Sequence, residues 1–142
     1  MTRPTPRIFF IGLLTSLVAC QGPTGVGTAD ARFNGTWRYV ADVSGSPVQV
    51  QGQLRLDGAD AGTISGTLDA QQVDAVGGRT SWPGLVTGSV LSNGTARLEI
   101  SVSSGRIRTH LATLRGDSLV GDWVESGSTP AGGAFRAARE IP

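Results

Sequence analysis

From residue 33 onward apolar side chains recur at every second position, and clusters of Gly, Asn, Asp and Ser interrupt the alternation at short intervals. A period of two punctuated by turn residues is the pattern of half-buried β-strands. Eight such runs can be marked, at 33–42, 48–57, 62–70, 85–91, 95–102, 106–115, 118–125 and 134–141. In the second run Val48, Val50, Leu54 and Leu56 share one face, and Gln49, Gln51, Gln53, Arg55 and Asp57 the other. In the fifth, Ala96, Leu98, Ile100 and Val102 oppose Thr95, Arg97, Glu99 and Ser101. One face buried and one wet is the habit of antiparallel sheets.

Asp57-Gly58, Asn93-Gly94 and Gly116-Asp117 are short-turn signals between consecutive runs, so neighbouring strands are expected to pair as antiparallel hairpins. The longer connections, 71–83 and 127–133, are expected to be mobile rims. Eight antiparallel strands in sequence order close most simply into an up-and-down β-barrel, which removes exposed sheet edges.

An apolar-x-Gly-x-apolar repeat runs through the strands, centred on Gly35, Gly52, Gly66, Gly88 and Gly121. Each Gly shares a face with its apolar flanks, so each should point inward, where a missing side chain implies either strong strand coiling or empty volume. Empty volume would be lined by Trp37, Leu54, Leu68, Val90 and Trp123, and would suit a lipid, a terpenoid or another apolar compound. Trp37 and Trp123 occupy equivalent places in the repeat and serve either core packing or a cavity wall. Trp82, beside Pro83 at the end of a long connection, fits core packing or a lid or partner contact.

Ahead of the strands, Arg3 and Arg7 precede an uncharged, mostly apolar run over 8–19, the layout of a secretory signal and too short to span a bilayer. The run ends in Leu17-Val18-Ala19-Cys20, which resembles the lipobox of bacterial lipoproteins. The resemblance implies a signal peptide over 1–19 and a diacylglycerol thioether at Cys20, with usually an acylated amine. Several acyl chains anchor stably where a single chain binds only marginally. Gln21 after the Cys matches outer-membrane sorting in the enterobacterial pattern. The Gly-rich stretch up to residue 32 is expected to be a flexible linker, with the barrel domain over 33–142.

Composition narrows the chemistry. All 12 basic residues of this 142-residue chain are Arg, which excludes Schiff-base lysines, a Ser-Lys dyad and a Walker A loop. One Cys and one His leave no disulfide and no Cys/His zinc cluster. Taking Arg3 and Arg7 from the twelve leaves ten Arg against eleven acidic residues, so no basic balance favours nucleic acid. No Gly-x-Ser-x-Gly occurs, His110 has no companions at metal spacing, and no catalytic residue, metal or cofactor is assigned. The run 57–62 resembles a calcium loop but lacks its bidentate Glu, and Asp-Gly is explained by a turn.

Asn34-Gly35-Thr36-Trp37 at the start of the first strand resembles the Gly-x-Trp motif of lipocalins, and the first strands of avidins also open with Gly-Thr-Trp. The resemblance implies a lipocalin-like, eight-stranded antiparallel up-and-down barrel. It also implies a closure formed by Gly35, Trp37 and a late Arg covering the Trp ring. Arg139, on the same strand face as Phe135 and Ala137, is the residue expected there. The Thr-Asp-Tyr motif of lipocalins does not occur.

The expected function is therefore a binding module: a membrane-anchored envelope lipoprotein holding a small apolar ligand inside its barrel. The alternative is an interaction protein with a solid core, meeting an envelope protein partner as a protease inhibitor or assembly factor. Biotin binding would need polar groups converging opposite the Trp side chains. A membrane-spanning barrel would need aromatic girdles that six remaining aromatics supply poorly, once Phe9 and Phe10 leave with the signal.

Overall fold

The computed structural model describes residues 27–102 and 104–141; Cys20 and the expected signal peptide over 1–19 lie outside them. Nine strands are formed: β1 (Gly35–Asp42), β2 (Gln49–Asp57), β3 (Thr63–Val73), β4 (Arg79–Ser81), β5 (Gly84–Val90), β6 (Thr95–Ser101), β7 (Ile107–Arg115), β8 (Ser118–Glu125) and β9 (Gly132–Arg139). Every neighbouring pair is antiparallel, in the order β2-β1-β9-β8-β7-β6-β5-β3, and a β2–β3 ladder joins the two ends. The result is a closed eight-stranded up-and-down barrel, with β4 as a short addition on β3.

That addition corrects the sequence expectation for 71–83. Instead of a loop, β3 and β4 continue the hairpin through Gln71↔Ser81 and Val73↔Arg79, and the Asp74 carboxylate accepts from the N–H groups of Val76 and Gly78 across a tight turn. Both faces are largely wet there, so no apolar alternation marked the strands. Between β4 and β5 the Trp82 N–H still reaches the Ala70 carbonyl at 2.7 Å, and Pro83, which has no N–H to give, breaks the ladder. The connection after β2 also differs from a two-residue turn: a short 3-10 turn (Ala59–Ala61) sits between Gly58 and Gly62, both at positive φ.

The expected linker is held over its last residues. Thr28 N–H donates to Val90 O at 2.7 Å, Asp30 N–H to Ala59 O at 2.8 Å, and Asp30 caps a 3-10 turn (Ala31–Phe33). These contacts lie at the end of the barrel that also carries the 58–62, 91–94 and 116–117 connections. Here Trp37 Nε1 donates to Phe33 O at 3.2 Å, and the Arg139 guanidinium lies 4.1 Å above the Trp37 ring. Arg139 also donates to the carbonyls of Asn34 and Arg32. This is the closed end. The opposite end, the mouth, carries the 43–48, 74–78, 102–106 and 126–131 connections.

The interior is filled. Trp37, Tyr39, Leu54, Leu68, Leu98, Ile100, Leu119 and Trp123 are all buried. A Cβ at Gly52, Gly66, Gly88 or Gly121 would fall on a carbonyl of the adjacent strand, from Asp69, Arg55, Arg97 and Leu111 respectively. At these four positions the inward glycines serve coiling: the next strand's backbone crosses the space a side chain would need. Gly35 differs, with φ +134° and the Arg139 Nη1 only 2.8 Å from where its Cβ would stand.

Candidate functional site

Strand β7 reverses the usual sorting of side chains. Ile107 and Leu111 face solvent, whereas Arg108, His110 and Ala112 point into the barrel. On neighbouring β8, Trp123 and Glu125 face in and Val124 faces out. Because Arg108 is the second residue of β7 and Glu125 the last of β8, and the two are paired in register, the reversal places an ion pair just inside the mouth.

The pair is 5% and 7% exposed, with Arg108 Nε donating to Glu125 Oε2 at 2.6 Å. Arg106, half exposed, donates through Nη1 to Oε1 at 2.6 Å. Two guanidiniums share one carboxylate, leaving one positive charge in excess. Trp82 covers the pair, its ring centroid 3.4 Å from Arg108 Cζ, and meets Trp123 edge-on at 5.4 Å. Cation–π stacking on a desolvated guanidinium is worth about 2 kcal/mol.

Deeper in, His110 Nε2 and the Tyr39 hydroxyl are hydrogen-bonded at 2.8 Å. The His110 ring packs against Phe135 at 4.9 Å and lies nearly parallel to Trp123 at 6.2 Å. Trp123 Nε1 donates to the Asp42 carbonyl at 3.1 Å. Burial lowers His110 to a pKa of about 4, the Arg108 backbone opposing in part and the Arg108 charge adding to the depression. Burial likewise raises the Tyr39 hydroxyl, while Arg108 pulls it back. Burial also lowers Arg108 itself, against the pull of Glu125. Both His110 and Tyr39 are therefore neutral at ordinary pH.

Two buried polar atoms in this cluster have no hydrogen-bond partner of normal geometry: Arg108 Nη1 and His110 Nδ1. Leaving such a group unsatisfied costs roughly 1–3 kcal/mol, more for a charged donor, so their presence in an otherwise packed barrel demands a reason. Among the described residues no cluster of three or more His, Cys, Asp or Glu side chains is poised to hold a metal.

The residues singled out in the sequence are distributed over both halves of the barrel. Trp37, Leu54 and Leu68 form one cross-strand row toward the closed end, Val90 ends β5 there, and Trp123 alone reaches the mouth cluster. All five are buried. Gly35, Trp37 and Arg139 come together at the closure. Arg108, Glu125 and Tyr39 did not stand out in the sequence, and His110 stood out only as lacking companions at metal spacing. The available signal was the alternation itself, which sets Glu125 on the face of Trp123 and sets Arg108 and His110 on the face of Ala112.

No family model and no curated protein matches the chain. Solved structures do. The EF1p2_mFAP2b barrel bound to DFHBI superposes with a TM-score of 0.61 at 16% identity, covering 77% of this chain and 94% of that one. A de novo designed fluorescence-activating β-barrel gives 0.58 at 19% identity, covering 80% and 100%. Bradavidin2 in its biotin complex gives 0.49 at 14% identity, covering 73% and 96%. At such identities the likeness to the first two is one of fold, and the chain is a small, closed, antiparallel β-barrel of their architecture.

Proposed function

We propose that this chain is a ligand-binding barrel, tethered to the cell envelope through Cys20 in the outer membrane, and that its ligand enters at the mouth. The observation that carries the reading is the buried guanidinium of Arg108, whose Nη1 has no hydrogen-bond partner, in a cluster walled by Trp82, Trp123 and Tyr39. An apolar wall with a few unsatisfied polar groups is the composition of small-molecule sites. The DFHBI complex among the similar folds is a ligand-bound barrel, in keeping with this use of the architecture. The apolar body of the ligand would lie against the Trp side chains, with Trp37, Leu54, Leu68 and Val90 forming the packed floor.

The test is a titration of the chain from Gln21 onward with the uncharged apolar fluorophore N-phenyl-1-naphthylamine. One saturable site per chain, with a matching change in Trp emission, is expected. A response that rises without saturation contradicts the reading.

The interaction-protein reading is favoured by a different observation. Leu85 (67% exposed), Ile107, Leu111 and Val124 present apolar side chains outward, and an open groove of about 500 Å³ lies along Thr67, Pro83, Leu85, Ser101 and Val102. Exposed apolar area of this kind suits a protein partner in the envelope. Charged replacements at Leu85 and Ile107 would abolish such an association and leave fluorophore binding intact.

A further inference from the structure

Within the ligand-binding reading, we propose that the ligand is an amphiphilic monoanion: its carboxylate or similar headgroup docks on Arg108 Nη1 once the Trp82 ring turns aside, and its planar apolar body packs against Trp123 in the space that ring leaves. The sign of the charge follows from the groups that face the site. Glu125 is the carboxylate in contact with Arg108, and its two oxygens are already taken by Arg108 Nε and Arg106 Nη1. Asp42 contributes its main-chain carbonyl to Trp123 while its carboxylate accepts from Gln49. Tyr39 and His110 are neutral. One cationic charge and the buried Nη1 of Arg108 are thus left over, in a buried setting where an anionic acceptor gains most.

The size of the headgroup follows from the charge. One guanidinium charge in excess beside aromatic rings matches one anionic group on an apolar body, whereas a multiply charged phosphate would call for several cations. Access follows from Trp82. Its backbone is fixed through Ala70, yet it lies between the exposed strand β4 and the ladder break at Pro83, so rotation of the side chain uncovers Arg108 without unpairing any strand. Stacked on Arg108, the ring closes the seat.

Two probes that share a ring system and differ by one anionic group decide the matter: 1-anilinonaphthalene-8-sulfonate and N-phenyl-1-naphthylamine. The chain from Gln21 onward should bind the sulfonate at one site at least about tenfold more tightly, as a charge-assisted hydrogen bond predicts. The paired replacement Arg108→Met with Glu125→Gln should bring the two affinities together by weakening only the sulfonate. Glu125→Gln alone keeps the Arg108 charge and removes its competitor. It should raise the ratio of sulfonate to neutral-probe affinity about fivefold; because it strips Arg108 of a buried counter-ion, its fold is checked by circular dichroism, and the preference of the unmodified chain between the two probes decides the matter should either variant fail to fold. Equal affinities in the unmodified chain, or a sulfonate preference that survives in the folded double variant, overturns the anionic headgroup and leaves the ligand-binding reading standing. No saturable binding of either probe overturns both.

Discussion

Arg139 shows how much one side chain can organise. Its guanidinium stacks on Trp37 and donates to two carbonyls that end the 3-10 turn, tying the start of the chain to its last strand. Arg136, on the same strand, is exposed. We expect Arg139→Ala to cost about 2–3 kcal/mol of unfolding free energy and Arg136→Ala less than about 0.5, read as denaturant midpoints. His110 supplies a second residue-level expectation. Its folded pKa of about 4 lies below the unfolded value of 6.5, so the unfolded chain takes up the proton first as the pH falls. Its contribution is complete above pH 6.5, is lost progressively between pH 6.5 and 4, and amounts to roughly 3 kcal/mol. In a folded His110→Gln variant the stability curve should be flatter across that window, which urea titrations at stepped pH would measure.

Among the elements, the strands themselves were legible wherever one face was wet and the other dry. β2 and β6 declare their inward residues by composition, and Asn93-Gly94 and Gly116-Asp117 announce their hairpins with glycines at positive φ. β7 was legible as a strand and opaque as to face, because an Arg and a His on one side and Ile107 and Leu111 on the other invert the usual rule. Only pairing with Glu125 and stacking under Trp82 makes the inward Arg108 tolerable, and those partners are distant in sequence. The same limit hid β4, where neither face is dry. Glycine placement gives a prediction at this scale. Gly66→Ala and Gly121→Ala would drive a methyl group into a neighbouring backbone and should cost about 3 kcal/mol or more. Gly45→Ala meets open space and is burdened only by its φ of +74°, a cost of about 1–2 kcal/mol. Thermal or chemical denaturation of the three variants ranks them.

For the whole molecule, the closed ladder pairs each of the eight barrel strands on both sides, and the two ends of the barrel carry different work. The closed end holds the entering chain; the mouth holds the charge. The acylation proposed for Cys20 predicts that Cys20→Ser releases the protein from the membrane pellet into the soluble fraction, and a variant that stays in the pellet after a high-salt wash contradicts it. The point where the chain enters has a further consequence. Thr28 is bonded beside Val90 at the closed end, and the seven residue steps from Cys20 to Gly27 reach at most about 25 Å. With the lipid proposed at Cys20, the attachment to the bilayer would meet the barrel at its closed end, and the mouth would be the end remote from it. On that proposed anchoring a ligand entering at the mouth would be taken from water rather than drawn sideways out of the bilayer, and the compounds suited to that passage would be those soluble enough to leave a membrane on their own.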